Sequence, residues 1–308
     1  MAAEADRLGF SELWVGEMAT FDVFALATAI AARTKQIGLV LGPLAVSVRT
    51  PMTMAMGIAS VAALADRSVD LALGASSHVV VEEWHGRARA RTATHMQESA
   101  QVARALLAGE KVRFEGELAS CKGYHLRLPA SHSSVTIAAF SPAAIRAAAR
   151  QGDRMLLNMV SPEAVAMLRQ QLEDAARAAG RETPPLAIWL PAALDPSEAS
   201  QQQMLSAIVG YLAAPGYGEM FAAAGFAELV EYARTRPHPR ELLAAMPMEL
   251  LSAAGLVGSA DTLRDGLSAY ARAGADEICL VPATAGDPAG ARTLAAMAQW
   301  RQDFPCQG

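Results

Sequence analysis

The sequence predicts an α/β fold of the parallel TIM (β/α)8-type barrel, and three observations carry that prediction. Residues 36–51, Gln-Ile-Gly-Leu-Val-Leu-Gly-Pro-Leu-Ala-Val-Ser-Val-Arg-Thr-Pro, begin as a continuous apolar run, the pattern of a strand buried on both faces. The run breaks at Gly42-Pro43, where a ladder donor is missing and the backbone must turn. Thr50 can then cap a helix that opens on Pro51, because proline's fixed φ suits the first helical position and its absent N–H would be unpaired there anyway. Strand, special turn and capped helix make one βα unit. The same order recurs along the chain, and 308 residues are enough for one barrel domain.

Residues 1–8 read as the end of a helix closed by Gly9, and residues 11–15 as a strand ending at Gly16-Glu17. No strand precedes that helix, so the first strand of the barrel is expected to be missing, through a late start site or a truncated chain. Asp22 can cap a helix over residues 23–34, with Phe24, Ala27, Ile30 and Ala31 on one face. The strand 37–41 and the helix 51–65 follow, then a strand over residues 68–73 that ends in Gly74-Ala75-Ser76-Ser77. Residues 85–95 are polar and arginine-rich, and a helix over 95–107 stops at Gly109. Alternation over residues 112–117 and 124–128 predicts a hairpin inserted on a loop.

The barrel pattern resumes at residues 135–140 and ends at Ser141-Pro142, a helix start; 154–160 is the next strand. Ser161-Pro162-Glu163 opens a helix with Val165, Leu168 and Leu172 on one face and Gly180 at its end. A strand at 186–190 is followed by a connection too long for a simple crossover, read as several helices broken at residues 214–218. Ser259 caps a further helix, with Leu263, Leu267 and Tyr270 inward, and residues 276–282 form the last strand. The count is seven strands in one domain, 1–308, with an inserted hairpin at 110–130 and a helical insertion at 196–256 before the last strand.

Composition bounds the function. The chain is 52% hydrophobic and 19% charged, with mean hydropathy +0.20, a compact globular profile. A net charge of −5 and a pI near 5.7 offer no basic stripe to neutralise phosphates, so no nucleic-acid partner is expected. Cys121, Cys279 and Cys306 are odd in number, far apart and without metal spacing, which points to a reducing cytoplasm. No signal peptide or membrane-length apolar run is present, and no membrane partner is expected.

No phosphate loop, G-x-G-x-x-G after a strand, G-x-S-x-G elbow or H-E-x-x-H occurs. The six histidines, 78, 85, 95, 125, 132 and 238, share no ligand spacing, so no metal site is expected. What remains is a set of strand ends: Glu17-Met18, Gly42-Pro43, residues 74–77, Phe140-Ser141-Pro142 and Asn158-Met159. In a parallel barrel such ends converge on the face that carries the active site. Any one glycine or proline there can simply end a strand; their joint occurrence with small hydroxyl residues points to a shared ligand site.

Residues 8–17, 37–51 and 71–74 resemble the luciferase-like monooxygenase superfamily, and residues 211–217, 258–261 and 273–277 resemble its deazaflavin branch, the coenzyme F-420 oxidoreductases. The resemblance implies a (β/α)8 barrel with a flavin or deazaflavin ring over the strand ends, backed by a cis peptide that corresponds by position to Gly42–Pro43. It assigns Gly42 and Pro43 to ring support, places Met18 beside the ring, and gives Gly74, Ser76 and Ser77 to the ring or its side chain. Ser141, with the helix opened by Pro142, would offer N–H groups to the cofactor tail. Relatives commonly carry a histidine where this chain has Met18 and a carboxylate where it has Ser77, which leaves Glu17, His78 and His85 as the titratable candidates for catalysis.

The implied function is hydride transfer between a reduced deazaflavin and a small organic substrate. An FMN-dependent monooxygenase on the same barrel is the alternative, and a cofactor-binding protein without turnover is a third. A homodimer is expected through helices near the second and third strands.

Overall fold

The structure is a computed structural model that describes residues 1–17 and 19–300; Met18 and Cys306 lie outside the described residues. The chain divides into two compact units, Ala2–Leu156 with Gln171–Pro185, and Met1, Leu157–Gln170 and the chain from Leu186 onward.

The first unit opens with helix α1 (Ala2–Arg7), strand β1 (Glu12–Val15), helix α2 (Val23–Ala31), strand β2 (Gly38–Ala45), helix α3 (Pro51–Ala65) and strand β3 (Val69–Gly74). A π-helical turn (Val79–Trp84), helix α4 (Thr92–Leu107), strands β4 (Lys111–Glu115) and β5 (Ser120–His125), strand β6 (Val135–Ala138), helix α5 (Pro142–Gln151) and the start of strand β7 (Arg154–Asn158) complete it. Strands β1, β2, β3, β6 and β7 pair in parallel in that order.

Local chemistry sets these elements. The Asp22 carboxylate accepts the N–H groups of Phe24 and Ala25, both at 3.0 Å, and Thr50 accepts that of Thr53 ahead of Pro51; each cap satisfies donors that the first helical turn leaves unpaired. The Asp6 carboxylate accepts three successive N–H groups, from Lys35, Gln36 and Ile37 at 2.7–3.0 Å, and so fixes where β2 begins. At the N-terminal strand ends, Arg154 is buried with its guanidinium on Glu12 at 2.9 Å and Thr136 at 3.2 Å, 4.8 Å above the Trp14 ring.

Several boundaries differ from those expected. Strand β2 does not stop at Gly42 but continues to Ala45, because pairing with β3 shifts between Leu41 and Leu44 and then resumes at Leu44 with Leu73. The hairpin lies where expected, yet its second strand is 120–125 rather than 124–128; Gly123, with a φ of +88°, is the extra residue in a bulge that breaks the alternation. The π-helical turn replaces part of the expected loop.

The second unit holds the end of β7, the first part of helix α6 (Pro162–Ala178), strand β8 (Leu186–Leu194), helices α7 (Glu198–Ile208), α8 (Tyr217–Phe221), α9 (Ala227–Arg234), α10 (Pro239–Ala245) and α11 (Leu250–Ala253), strand β9 (Leu256–Gly258), helix α12 (Ala260–Arg272), strand β10 (Glu277–Pro282) and helix α13 (Ala291–Trp300). Strand β8 pairs in parallel with β10 on one side and β9 on the other. Strand β9 corrects the count of seven: its three residues, Leu256–Gly258, are too short to show a period. Helices α7–α11 bury an apolar cluster that includes Leu205, Leu212, Phe221, Val230 and Leu250. Tyr270 anchors α12 by donating to the Val160 carbonyl at 2.8 Å, and Asp276 accepts the Leu186 N–H while pairing with Arg169.

Candidate functional site

The ends of β2, β3 and β6 meet in the first unit, and their geometry is set by what side chains would not fit. The Gly42–Pro43 peptide is cis. Gly42 has a φ of +125°, and a Cβ there would stand 2.3 Å from the Ala72 carbonyl oxygen, so only glycine fits. A Cβ on Gly74 would meet the Pro43 Cβ at 2.8 Å and the Ala138 Cβ at 3.9 Å. Gly42, Pro43 and Gly74 therefore form one close-packed step without projecting side chains, the kind of surface on which a flat ring can lie.

The polar residues after β3 are already engaged. Ser76 has a φ of +55° and its carbonyl accepts Arg89 Nε at 2.9 Å. Ser77 Oγ accepts the Val80 N–H at 3.2 Å and so starts the π-helical turn. His78 is exposed, with Nε2 3.4 Å from Glu83 and 4.0 Å from Glu82, and His85 is exposed at the end of that turn. On the next strand's connection, Ser141 Oγ accepts the Ala144 N–H at 3.3 Å, and Ser141 and Pro142 are both exposed at the start of α5. Of the residues expected from sequence to bind a cofactor, Gly42, Pro43, Gly74, Ser76, Ser77, Ser141 and Pro142 thus lie at or after three adjacent strands, β2, β3 and β6, and Met18 lies outside the described residues.

Glu17 is held in an ion pair. Arg49 Nε donates to it at 2.8 Å, a second guanidinium nitrogen also bonds it, and the same nitrogen reaches Asp22 at 2.6 Å. Arg49 also lies 5.1 Å from the Phe24 ring centre. The hydrogen bond that Arg49 donates to Glu17 pushes the guanidinium's pKa further up, against desolvation, so Arg49 stays charged. Sequence reading passed over Arg49 although it lies in the opening stretch, since a pair 32 residues apart leaves no periodic trace.

Beyond Pro43, the connection 46–52 walls one side of a pocket of about 330 Å³, with Arg87, His95 and residues 118–120 of the hairpin around the rest. His95 is half-buried, Ser47 Oγ lies 3.5 Å from its Nδ1, and burial lowers its pKa. One helical turn on, the buried Glu98 carboxylate accepts the N–H groups of Glu117, Leu118 and Ala119 at 2.8–2.9 Å.

In the second unit the end of β7 carries a separate polar group. Tyr211, from the connection between α7 and α8, and Tyr217, the first residue of α8, both interact with the Asn158 side chain and meet edge to face at 4.9 Å. Burial pushes both phenols above their ordinary value, so they are neutral donors at physiological pH. Among the described residues, no group of three or more His, Cys, Asp or Glu is placed to hold a metal, and no helix is long and apolar enough to cross a membrane.

The family model for the luciferase-like monooxygenases matches residues 1–277. The chain belongs to this family. Among its relatives, the 5,10-methylenetetrahydromethanopterin reductase of Methanolobus tindarius is 25% identical over 179 residues, 58% of this chain and 55% of that protein. The chain thus spans about half the length of the curated relatives it matches. The coenzyme F-420 dependent tetrahydromethanopterin reductase of Methanopyrus kandleri matches 96% of this chain and 92% of its own at a TM-score of 0.80 with 17% identity. The oxygenating constituent of 3,6-diketocamphane monooxygenase of Pseudomonas putida, solved with FMN, matches 97% and 89% at 0.69 with 18% identity. The likeness establishes the α/β fold of luciferase-like barrels, and the neighbours include both an F-420 dependent reductase and an FMN-bound monooxygenase.

Proposed function

We propose that the chain is an oxidoreductase that transfers a hydride between reduced coenzyme F-420 and a small organic substrate. The observation that carries this reading is the step formed by Gly42, the cis-linked Pro43 and Gly74, where a Cβ at either glycine would collide with a neighbouring strand. Likeness to deazaflavin-dependent reductases supports the choice of cofactor.

When bound, F-420 supplies the hydride chemistry. Pro43 and Gly74 would support its ring, Ser76 and Ser77 would border it, and α5 would offer first-turn N–H groups at a positive helix end to the anionic tail. Glu17 holds Arg49 and with it the turn after β2. His78 and His85, both exposed, are the candidates we assign to proton transfer. Met18 has no titratable group and supplies no proton. The free Cys121 and Cys279 accord with a reducing cytoplasm, and we assign the chain there as a homodimer.

Fluorescence titration with both cofactors tests the reading. F-420 is expected to bind at least tenfold tighter than FMN, about 1.4 kcal/mol; equal or reversed affinities move the assignment to an FMN monooxygenase, which the FMN-bound neighbour favours. Stopped-flow reoxidation of the reduced complex then separates the outcomes. Oxygen consumption marks the monooxygenase, and no substrate-dependent reoxidation across a broad panel marks a binding protein without turnover.

A further inference from the structure

The pocket beside the connection between β2 and α3 has no part in the reading above, and its walls are chemically one-sided. Its polar lining is Ser47, Arg49, Thr50, Arg87, His95 and Ser120, with Val48, Met52 and Leu118 among the apolar groups, and no aspartate or glutamate lines it. The carboxylates nearby are occupied elsewhere. Glu17 and Asp22 grip Arg49, and both oxygens of Glu98 are taken by hairpin N–H groups. Arg87 makes no ion pair among the described residues, and the Nδ1 of His95 faces Ser47, which leaves Nε2 without a protein partner among them.

The geometry points to a binding site for a small organic anion, a carboxylate or phosphate ester with a short apolar body. Its charged oxygens meet Arg87, His95 and the hydroxyls of Ser47 and Ser120, and its body lies against Val48, Met52 and Leu118. A guanidinium presents paired donors that match the two oxygens of such a group. A space of about 330 Å³ is at the small end of ligand sites, fit for a compact acid rather than a dinucleotide-sized cofactor. Burial disfavours the charged imidazole, and an anion beside it restores that charge, so the ring itself reports on binding.

The test uses the full chain without cofactor. Benzoate is titrated while the His95 ring signals are followed by NMR, assigned with His95→Gln, with phenyl phosphate in parallel and benzamide as the uncharged isostere. Benzoate or phenyl phosphate is expected to give a saturable shift of the His95 signals, the tighter of the two naming the anion class, with benzamide at least tenfold weaker. Arg87→Ala is expected to weaken the anion at least tenfold at unchanged melting temperature, since Arg87 is exposed and unpaired. Benzamide matching benzoate, an Arg87→Ala titration like that of the parent, or no saturable shift up to about 10 mM overturns the assignment. Because no cofactor is present, failure here leaves the F-420 reading standing, and failure of F-420 to bind leaves this site standing.

Discussion

Arg49 shows how much one side chain can fix. Its planar fork bonds Glu17 and Asp22 together while its face covers Phe24, so the end of β1, the start of α2 and the turn after β2 share one cation. Arg49→Ala leaves two carboxylates facing each other and is expected to cost ~2 kcal/mol, discounted from a fully buried pair because all three groups keep some solvent contact. Arg49→Lys keeps the charge but not the fork or the stacking, and about half of that loss is expected to remain; urea unfolding of both variants measures it. Asp70 gives a pH signature. Burial raises its pKa from 3.8, against the hydrogen bond from Ser134 N–H, so the folded state binds the proton more tightly than the unfolded chain. Its contribution is complete below the ordinary value of 3.8 and declines as pH rises through the folded-state pKa. Melting temperatures from about pH 3.5 upward are expected to show Asp70→Asn gaining on the parent as pH rises; parallel curves would refute that.

At the scale of elements, the Glu98 carboxylate clasps the tip of the hairpin to α4. Glu98→Ala orphans the N–H groups of residues 117–119, and the loss is expected to be ~2 kcal/mol, with hydrogen exchange accelerating at 117–119 and unchanged in the body of α4. Loss of protection throughout α4 would mean that the helix depends on the hairpin. This element also marks the reach of sequence reading. Alternation located the hairpin, but the bulge at Gly123 moved one strand by several residues, and nothing in the local pattern foretold the clasp. Strand β9 is too short for a period, and β2 resumes beyond Pro43 only because β3 is there to pair with Leu44. Caps at Asp22, Thr50, Ser141 and Ser259 were readable because they satisfy donors within three residues. Pairings such as Arg49 with Glu17 depend on chain reversal and were not.

For the whole molecule, the order of strands and helices and the cis bond at Gly42–Pro43 were legible from apolar runs, from residues at their ends and from likeness to a family, while the pocket beyond Pro43 emerges only when three distant segments come together. Helix α3 buries Met54, Ile58 and Val61, yet leaves Met56 48% and Leu64 73% exposed. Such a second apolar side fits a partner helix, and sedimentation at micromolar concentration is expected to show a dimer that Leu64→Glu converts to monomer; a monomeric parent protein would count against it. The Glu98 clasp has an evolutionary consequence. It grips only backbone N–H groups, which every residue but proline offers, so the half-buried side chain at 118 can change while the clasp is kept. The lining at Leu118 can therefore drift from one descendant to the next, and with it the molecules this pocket accepts.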